Sequence, residues 1–127
     1  MKTIELKGKA LNHAVHQALG WRPFHIHTDE DWVQAKFKRQ AEELPATLPP
    51  HALWRGPVPD YVHDWGSAAD LLGQFKVQTV EITDGYRAWI PQAGVQALGE
   101  TMLEAVCRCV VLHRMGRNVD VPKELKP

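Results

Sequence analysis

The sequence predicts an α+β protein, a three-layer α-β-α sandwich whose small antiparallel sheet includes a hairpin over residues 77–90 and whose C-terminal helix spans 102–115. Three observations lead there. Residues 102–115 carry apolar side chains at helical spacing between a capping signal and a glycine stop. Two β-prone runs flank Asp84-Gly85, a dipeptide favoured in tight hairpin turns. Lys9 to Leu19 repeats the amphipathic helical pattern near the N-terminus. A chain of 127 residues suits one domain with a real core, so 1–127 is read as a single unit.

The C-terminal helix is the best defined. Thr101 and Glu104 are spaced as a capping box, and Gly116 provides a left-handed stop. Met102, Leu103, Ala105, Val106, Cys109, Val110 and Leu112 share one broad face, and Glu104, Arg108 and Arg114 fall opposite. Glu104 and Arg108 are spaced for an ion pair. His113 projects into the apolar arc and reads as a core-edge imidazole bonded to a carbonyl. Cys107, Val111 and Met115 form a stripe on the otherwise polar side. They are either scattered surface apolars or a second contact surface, for a neighbouring segment or a partner.

From the N-terminus, residues 1–8 hold at most a brief extended segment. In the helix that follows, Leu11, Ala14, Val15, Ala18 and Leu19 share a face, and Lys9, Asn12, His13, His16 and Gln17 take the solvated one. Gly20 stops it. Pro23 to His27 reads as a short strand. Thr28 reads as an N-cap, with acidic residues behind it, for a helix reaching Leu44 along a Val33, Phe37, Ala41 and Leu44 stripe.

Residues 44–60 hold five of the nine prolines and read as a long loop that excludes regular structure. Its Trp54 and Arg55 either pack back on the core or serve as partner anchors, both being residue types enriched at binding hot spots. Residues 60–74 read as a turn and a helix carrying Ala68, Leu71, Leu72 and Phe75. In the hairpin register set by an Asp84-Gly85 turn, Val80 opposes Trp89 and Ile82 opposes Arg87, while Thr79 opposes Ile90 and Glu81 opposes Ala88. Apolar residues on both faces imply a sheet covered on two sides. Residues 91–99 read as a linker.

Equal numbers of acidic and basic residues, 15 of each, argue against non-specific nucleic-acid binding. No apolar run is long enough to span a membrane, and no apolar signal segment opens the chain, which implies a cytosolic protein. The only cysteines, Cys107 and Cys109, point to different sides of one helix and neither bridge nor share a metal. The pairs His13/His16 and His25/His27 have chelating spacings. Nothing fixes a third ligand, though His51, His63, Asp60 and Asp64 are in the sequence, so no metal or other cofactor is expected. No nucleophile elbow, P-loop or HExxH pattern occurs, and no catalytic residue is assigned.

Several blocks in order resemble the phage ABA sandwich domain family. They are Gly99-x-Thr101-x-Leu103-x-Ala105, Arg108-Cys109, Gly116, Val119-Asp120-Val121-Pro122 and Glu124-Leu125, with Pro59-Asp60-Tyr61 and Asp64-Trp65 upstream and Lys9 to Val15 ending at Gly20. Residues 24–57 depart from that pattern, as do Glu100 and Met102, where the family often has prolines, and His13, where it often has tryptophan. The resemblance implies a small protein of tailed phages or prophages, acting in the host bacterial cytoplasm, with a helix-sheet-helix sandwich and no established activity.

Three functions follow as expectations. The first is a non-enzymatic phage accessory protein that binds and inhibits a host bacterial protein, such as a defence complex of the CRISPR kind. Trp54, Arg55, Cys107, Val111 and Met115 are its partner-contact residues. The second is a binder that sequesters a nucleotide, which needs a pocket with Trp and Arg. The third is a metal-dependent hydrolase. A homodimer is compatible with all three.

Overall fold

A computed structural model describes residues 1–29, 32–39, 53–122 and 125, with side chains for 1–21, 58–122 and 125. The elements in chain order are a 3-10 turn Thr3–Glu5, α1 Gly8–Ala18, β1 Trp21–Asp29, β2 Trp32–Arg39, β3 Leu53–Pro57, α2 Trp65–Phe75, β4 Gln78–Ile82, β5 Gly85–Ile90, β6 Val95–Gly99 and α3 Met102–Met115. The class is α+β. The strands form two antiparallel three-stranded sheets, β1-β2-β3 and β4-β5-β6. The 77–90 hairpin lies in the second sheet, and α3 packs on that sheet.

α3 has the bounds that its cap and stop specify. The Thr101 hydroxyl accepts from the Glu104 amide at 3.1 Å. The Glu104 carboxylate reaches one residue further back than a capping box requires, accepting from the Glu100 amide at 3.0 Å. Gly116 ends the helix with φ +84. The helix is buried on two sides. The sheet residues Ala88, Ile90 and Ala97 lie against one side, and α1 and α2 against the other. Cys107 and Val111 are 0% exposed and Met115 packs against the core, so this stripe faces neighbouring segments of the chain and not an external partner. A helix apolar nearly all round belongs in the middle of a structure. Arg108, on the nominally polar side, acts as a clamp. It donates to the Leu6 carbonyl at 2.9 Å and the Leu98 carbonyl at 3.0 Å, and pairs with Glu104 at 3.0 Å.

Four sequence expectations change. The helix expected over 28–44 is instead strand over its described part, Thr28 and Asp29 ending β1 and Trp32–Arg39 forming β2, paired from Asp29↔Trp32 to Trp21↔Arg39; residues 30, 31 and 40–44 lie outside the described residues. Val33 and Phe37 fit an i, i+4 helical stripe, but Trp32, Val33 and Phe37 are also strand formers, and non-local pairing decided between the two. The strand expected at Pro23–His27 is extended to nine residues. Its proline is tolerated because β1 is an edge strand, and the register shifts between Pro23 and His25. The loop expected over 44–60 contains β3, so Trp54 and Arg55 are strand positions opposite Phe37 and Lys36; residues 44–52 lie outside the described residues. The linker expected over 91–99 contains β6.

The hairpin is present with a shifted register. Ile82 pairs with Gly85, so Thr83 and Asp84 form the turn; Val80 opposes Arg87, Gln78 opposes Trp89, and Thr79 opposes Ala88. Gly85 pairs instead of turning because it packs on the backbone of β6. A Cβ there would sit 2.4 Å from the Gly99 carbonyl, and φ is +149. The shift is two residues, so each side chain keeps its face. One face carries Ala88 and Ile90 and is covered by α3. The other carries Val80 and Ile82, which are 40% and 38% exposed, so that side of the hairpin faces solvent.

The tail is tied down as its apolar residues imply. Val119, Val121 and Leu125 are buried. The Met1 amine donates to the Val119 carbonyl at 3.0 Å, and the Thr3 hydroxyl to the Gly116 carbonyl at 2.6 Å.

Gly99 marks the closest approach of sheet and helix, since a Cβ there would meet the Ala105 amide nitrogen at 2.4 Å. Both atoms are backbone, so no side chain can yield. Gly99→Ala is expected to cost about 1–3 kcal/mol by overpacking, measured as a lower urea midpoint with unchanged slope.

Candidate functional site

The polar side of α1, expected to be solvated, is buried. Asn12, His13 and His16 are 7%, 2% and 1% exposed. The cause is non-local, because the turn before α2 and the start of β1 close over them. The Asn12 amide group donates to Asp60 Oδ1 at 2.9 Å, and its carbonyl accepts from the Val62 amide at 3.0 Å, pinning the Pro59–Val62 turn to the helix. The His16 ring stacks on Trp21 at 5.5 Å between centroids, and its Nδ1 lies 2.8 Å from the Tyr61 hydroxyl oxygen. His63 extends the cluster outward, with Nδ1 3.1 Å from both Asp60 oxygens.

Burial disfavours charge on His13, His16, Tyr61 and the two thiols. It lowers His13 to about 4. It lowers His16 to about 3, with the neighbouring His13 as the second cause. Burial, then the nearby Cys107, pushes the Tyr61 hydroxyl up. Burial, then Asp60 and Glu104, pushes the Cys107 thiol up to about 12, and burial pushes Cys109 up to about 11. Such thiols stay protonated near neutral pH and are poor nucleophiles. The His13 and His16 imidazoles stay neutral near pH 7 and are sealed from solvent. The cluster holds α1, β1 and the Pro59–Val62 turn in place, and its chemistry is that of a scaffold.

The other histidines are dispersed. His113 is exposed at the end of α3, with its ring edge-on to Phe75 at 6.0 Å, which replaces the core-edge position expected of it. The backbone positions of His25 and His27 lie opposite Lys36 and Gln34, and His51 lies outside the described residues. Among the described residues no group of three or more His, Cys, Asp or Glu side chains is arranged to hold a metal ion.

Among the described residues, the second sheet presents an open face. Its uncovered face carries Val80, Ile82 and Leu98, the last 58% exposed, together with Arg87 and Trp89. The Arg87 guanidinium carbon sits 5.0 Å from the Trp89 ring centroid, a cation–π contact. Beside them a depression of about 330 Å³ is lined by Arg87, Trp89, Pro91 and Gln96. A larger groove of about 570 Å³, lined by Lys2, Ile4, Val95, Leu112 and Arg117 among others, lies where the N-terminus meets the tail. Trp54 and Arg55 are neighbouring positions of β3 and therefore belong to opposite faces of the first sheet. The open sheet face is not among the sequence expectations, which make residues 91–99 a linker; the alternation of Val95, Ala97 and Gly99 with Gln96 and Leu98 is the signal that marks it.

The fold and surface together define a small α+β protein with a buried polar cluster on α1 and, among the described residues, an open apolar face on the second sheet. A family model described as Bacteriophage P22, NinX matches residues 2–114, and the chain belongs to that phage family. The phage origin implied by the sequence resemblance therefore holds, under this family and not that of the ABA sandwich. No curated protein matches the chain. No helix among the described residues is long and apolar enough to cross a membrane.

The buried histidines set an acid limit. Their folded pKa values lie below the unfolded value of 6.5, so the unfolded state takes up protons first as pH falls. Stability is fully present above about 6.5 and falls through the window down to about 4 for His13 and about 3 for His16. Each histidine contributes a slope of up to about 1.4 kcal/mol per pH unit. Urea titrations between neutral pH and pH 4 should show this loss, and His16→Phe should flatten it.

Proposed function

We propose that this chain is a non-enzymatic phage accessory protein that binds and inhibits a host bacterial protein in the host cytoplasm, a defence complex being the form of target that fits a phage's needs. The observation that carries the reading is the open face of the second sheet. Val80, Ile82 and Leu98 expose apolar surface there, next to Trp89 and Arg87. Buried aromatic and arginine anchors within an apolar patch are what protein interfaces use for most of their affinity. An exposed patch on a sheet whose other face packs on α3 through Ala88, Ile90 and Ala97 has no role in the monomer's core. Trp54 and Arg55 on the first sheet remain a second candidate contact.

The nucleotide-sequestering alternative draws support from the pairing of Arg87 with Trp89 at the smaller depression. Arg87 already occupies one face of the indole, so a stacking base would compete with it. The protein-binding reading therefore ranks first.

Leu98→Glu tests the reading. Leu98 is more than half exposed, so the melting temperature should change little. Capture of a specific host protein by the immobilised chain should weaken by about tenfold or more if Leu98 lies within the interface. The captured protein's activity should fall when the wild-type chain is added and recover with the variant. Equal capture and equal inhibition by the folded variant would move the contact away from this face.

A further inference from the structure

We propose that two copies of this chain associate by pairing their β4 strands antiparallel about a two-fold axis at Val80, joining the two β4-β5-β6 sheets into one six-stranded sheet. The two edges of this sheet are treated differently. At the β6 edge, the outward Leu98 carbonyl accepts from Arg108 at 3.0 Å, so α3 covers it. At the β4 edge nothing equivalent occurs. Ile82 and Gly85 flank a two-residue turn, which makes them a hydrogen-bonded pair, and the alternation then places Val80 and Gln78 toward β5 as well. Thr79 and Glu81 therefore direct their backbone N–H and C=O groups outward. Among the described residues no backbone hydrogen bond closes them. The strand has no proline, bulge or lysine within Gln78–Ile82, its one charge is Glu81, and Val80 and Ile82 are 40% and 38% exposed.

Symmetry and charge select the register. An isologous antiparallel pair needs outward residues to meet outward residues, which allows centres at Thr79, Val80 or Glu81. A centre at Glu81 opposes two like carboxylates. A centre at Thr79 leaves part of β4 unpaired. The centre at Val80 overlaps the whole strand and sets Thr79 opposite Glu81, so that each such pair exchanges both backbone hydrogen bonds. It also brings Lys76, just before β4, near Asp84 of the other copy at both ends; both residues are exposed. The surface is thus complementary to itself in hydrogen bonding, apolar contact and charge.

Sedimentation and amide hydrogen exchange on the full chain test this. The wild type should pass from monomer to dimer as concentration rises, and the Thr79 and Glu81 amides should exchange more slowly over the same range. Thr79→Pro removes an outward donor at an edge position where proline is tolerated, and should give a monomer. Lys76→Glu and Asp84→Lys should each weaken the dimer by about tenfold, and the double variant should restore it. That charge swap decides the matter even if the proline variant fails to fold. A chain that stays monomeric, a dimer whose Thr79 and Glu81 amides ignore concentration, or a double variant no better than either single one would overturn the proposal. A strand pairing seen only with a captured host protein would overturn it as well.

Discussion

The structure depends on α3 being buried on two sides at once. Val106, Cys107, Val110 and Val111 have no exposed surface, and they pack between the second sheet and the helices α1 and α2. A central helix of this kind makes small residues obligatory where neighbours cross it. Gly99 leaves β6 against the Ala105 amide, and Gly85 lies against the Gly99 carbonyl in turn. Turn, strand end and helix start are therefore one close-packed unit. This is why the hairpin register follows the packing of Gly85 in preference to the local turn signal of Asp84-Gly85.

The same central position accounts for the polar groups inside the molecule. When the second side of α1 is closed over, Asn12, His13 and His16 go into the interior with it, and buried polar atoms are tolerated when they are hydrogen-bonded. Asn12 satisfies the Asp60 carboxylate and the Val62 amide together, and His16 meets Tyr61 and Trp21. The Pro59-Asp60-Tyr61 block and the first helix, recognisable as separate stretches of sequence, are two halves of one joint. Arg108 does similar work on the far side, holding the N-terminal segment and β6 to α3 through two carbonyls.

With the interior used in this way, the second sheet is left with one face open among the described residues. One face of β4-β5-β6 is consumed by α3, which leaves the other face apolar and one edge bare. Membership of the P22 NinX family assigns the chain to phage biology. Its buried titratable groups, His13, His16, Tyr61, Cys107 and Cys109, stay uncharged near neutral pH because burial disfavours their charged forms.

The sequence by itself determined the elements whose signals are local. α3 runs between the cap Thr101 and the stop Gly116, α1 ends before Gly20, a helix follows a turn within residues 60–75, and residues 77–90 form a hairpin, its turn falling one residue before the expected Asp84-Gly85. Tertiary structure decided everything for which two local readings compete. Val33 and Phe37 suit a helix stripe or a strand, and pairing with β1 chose the strand. Val95 to Gly99 alternates but is only five residues long, and it became a strand because β5 had an open side. His13, His16 and Cys107 lie on faces that periodicity marks as polar or mixed. Their burial depended on which segments would pack there, and residue spacing along one helix carries no information about the distance to a turn about fifty residues away.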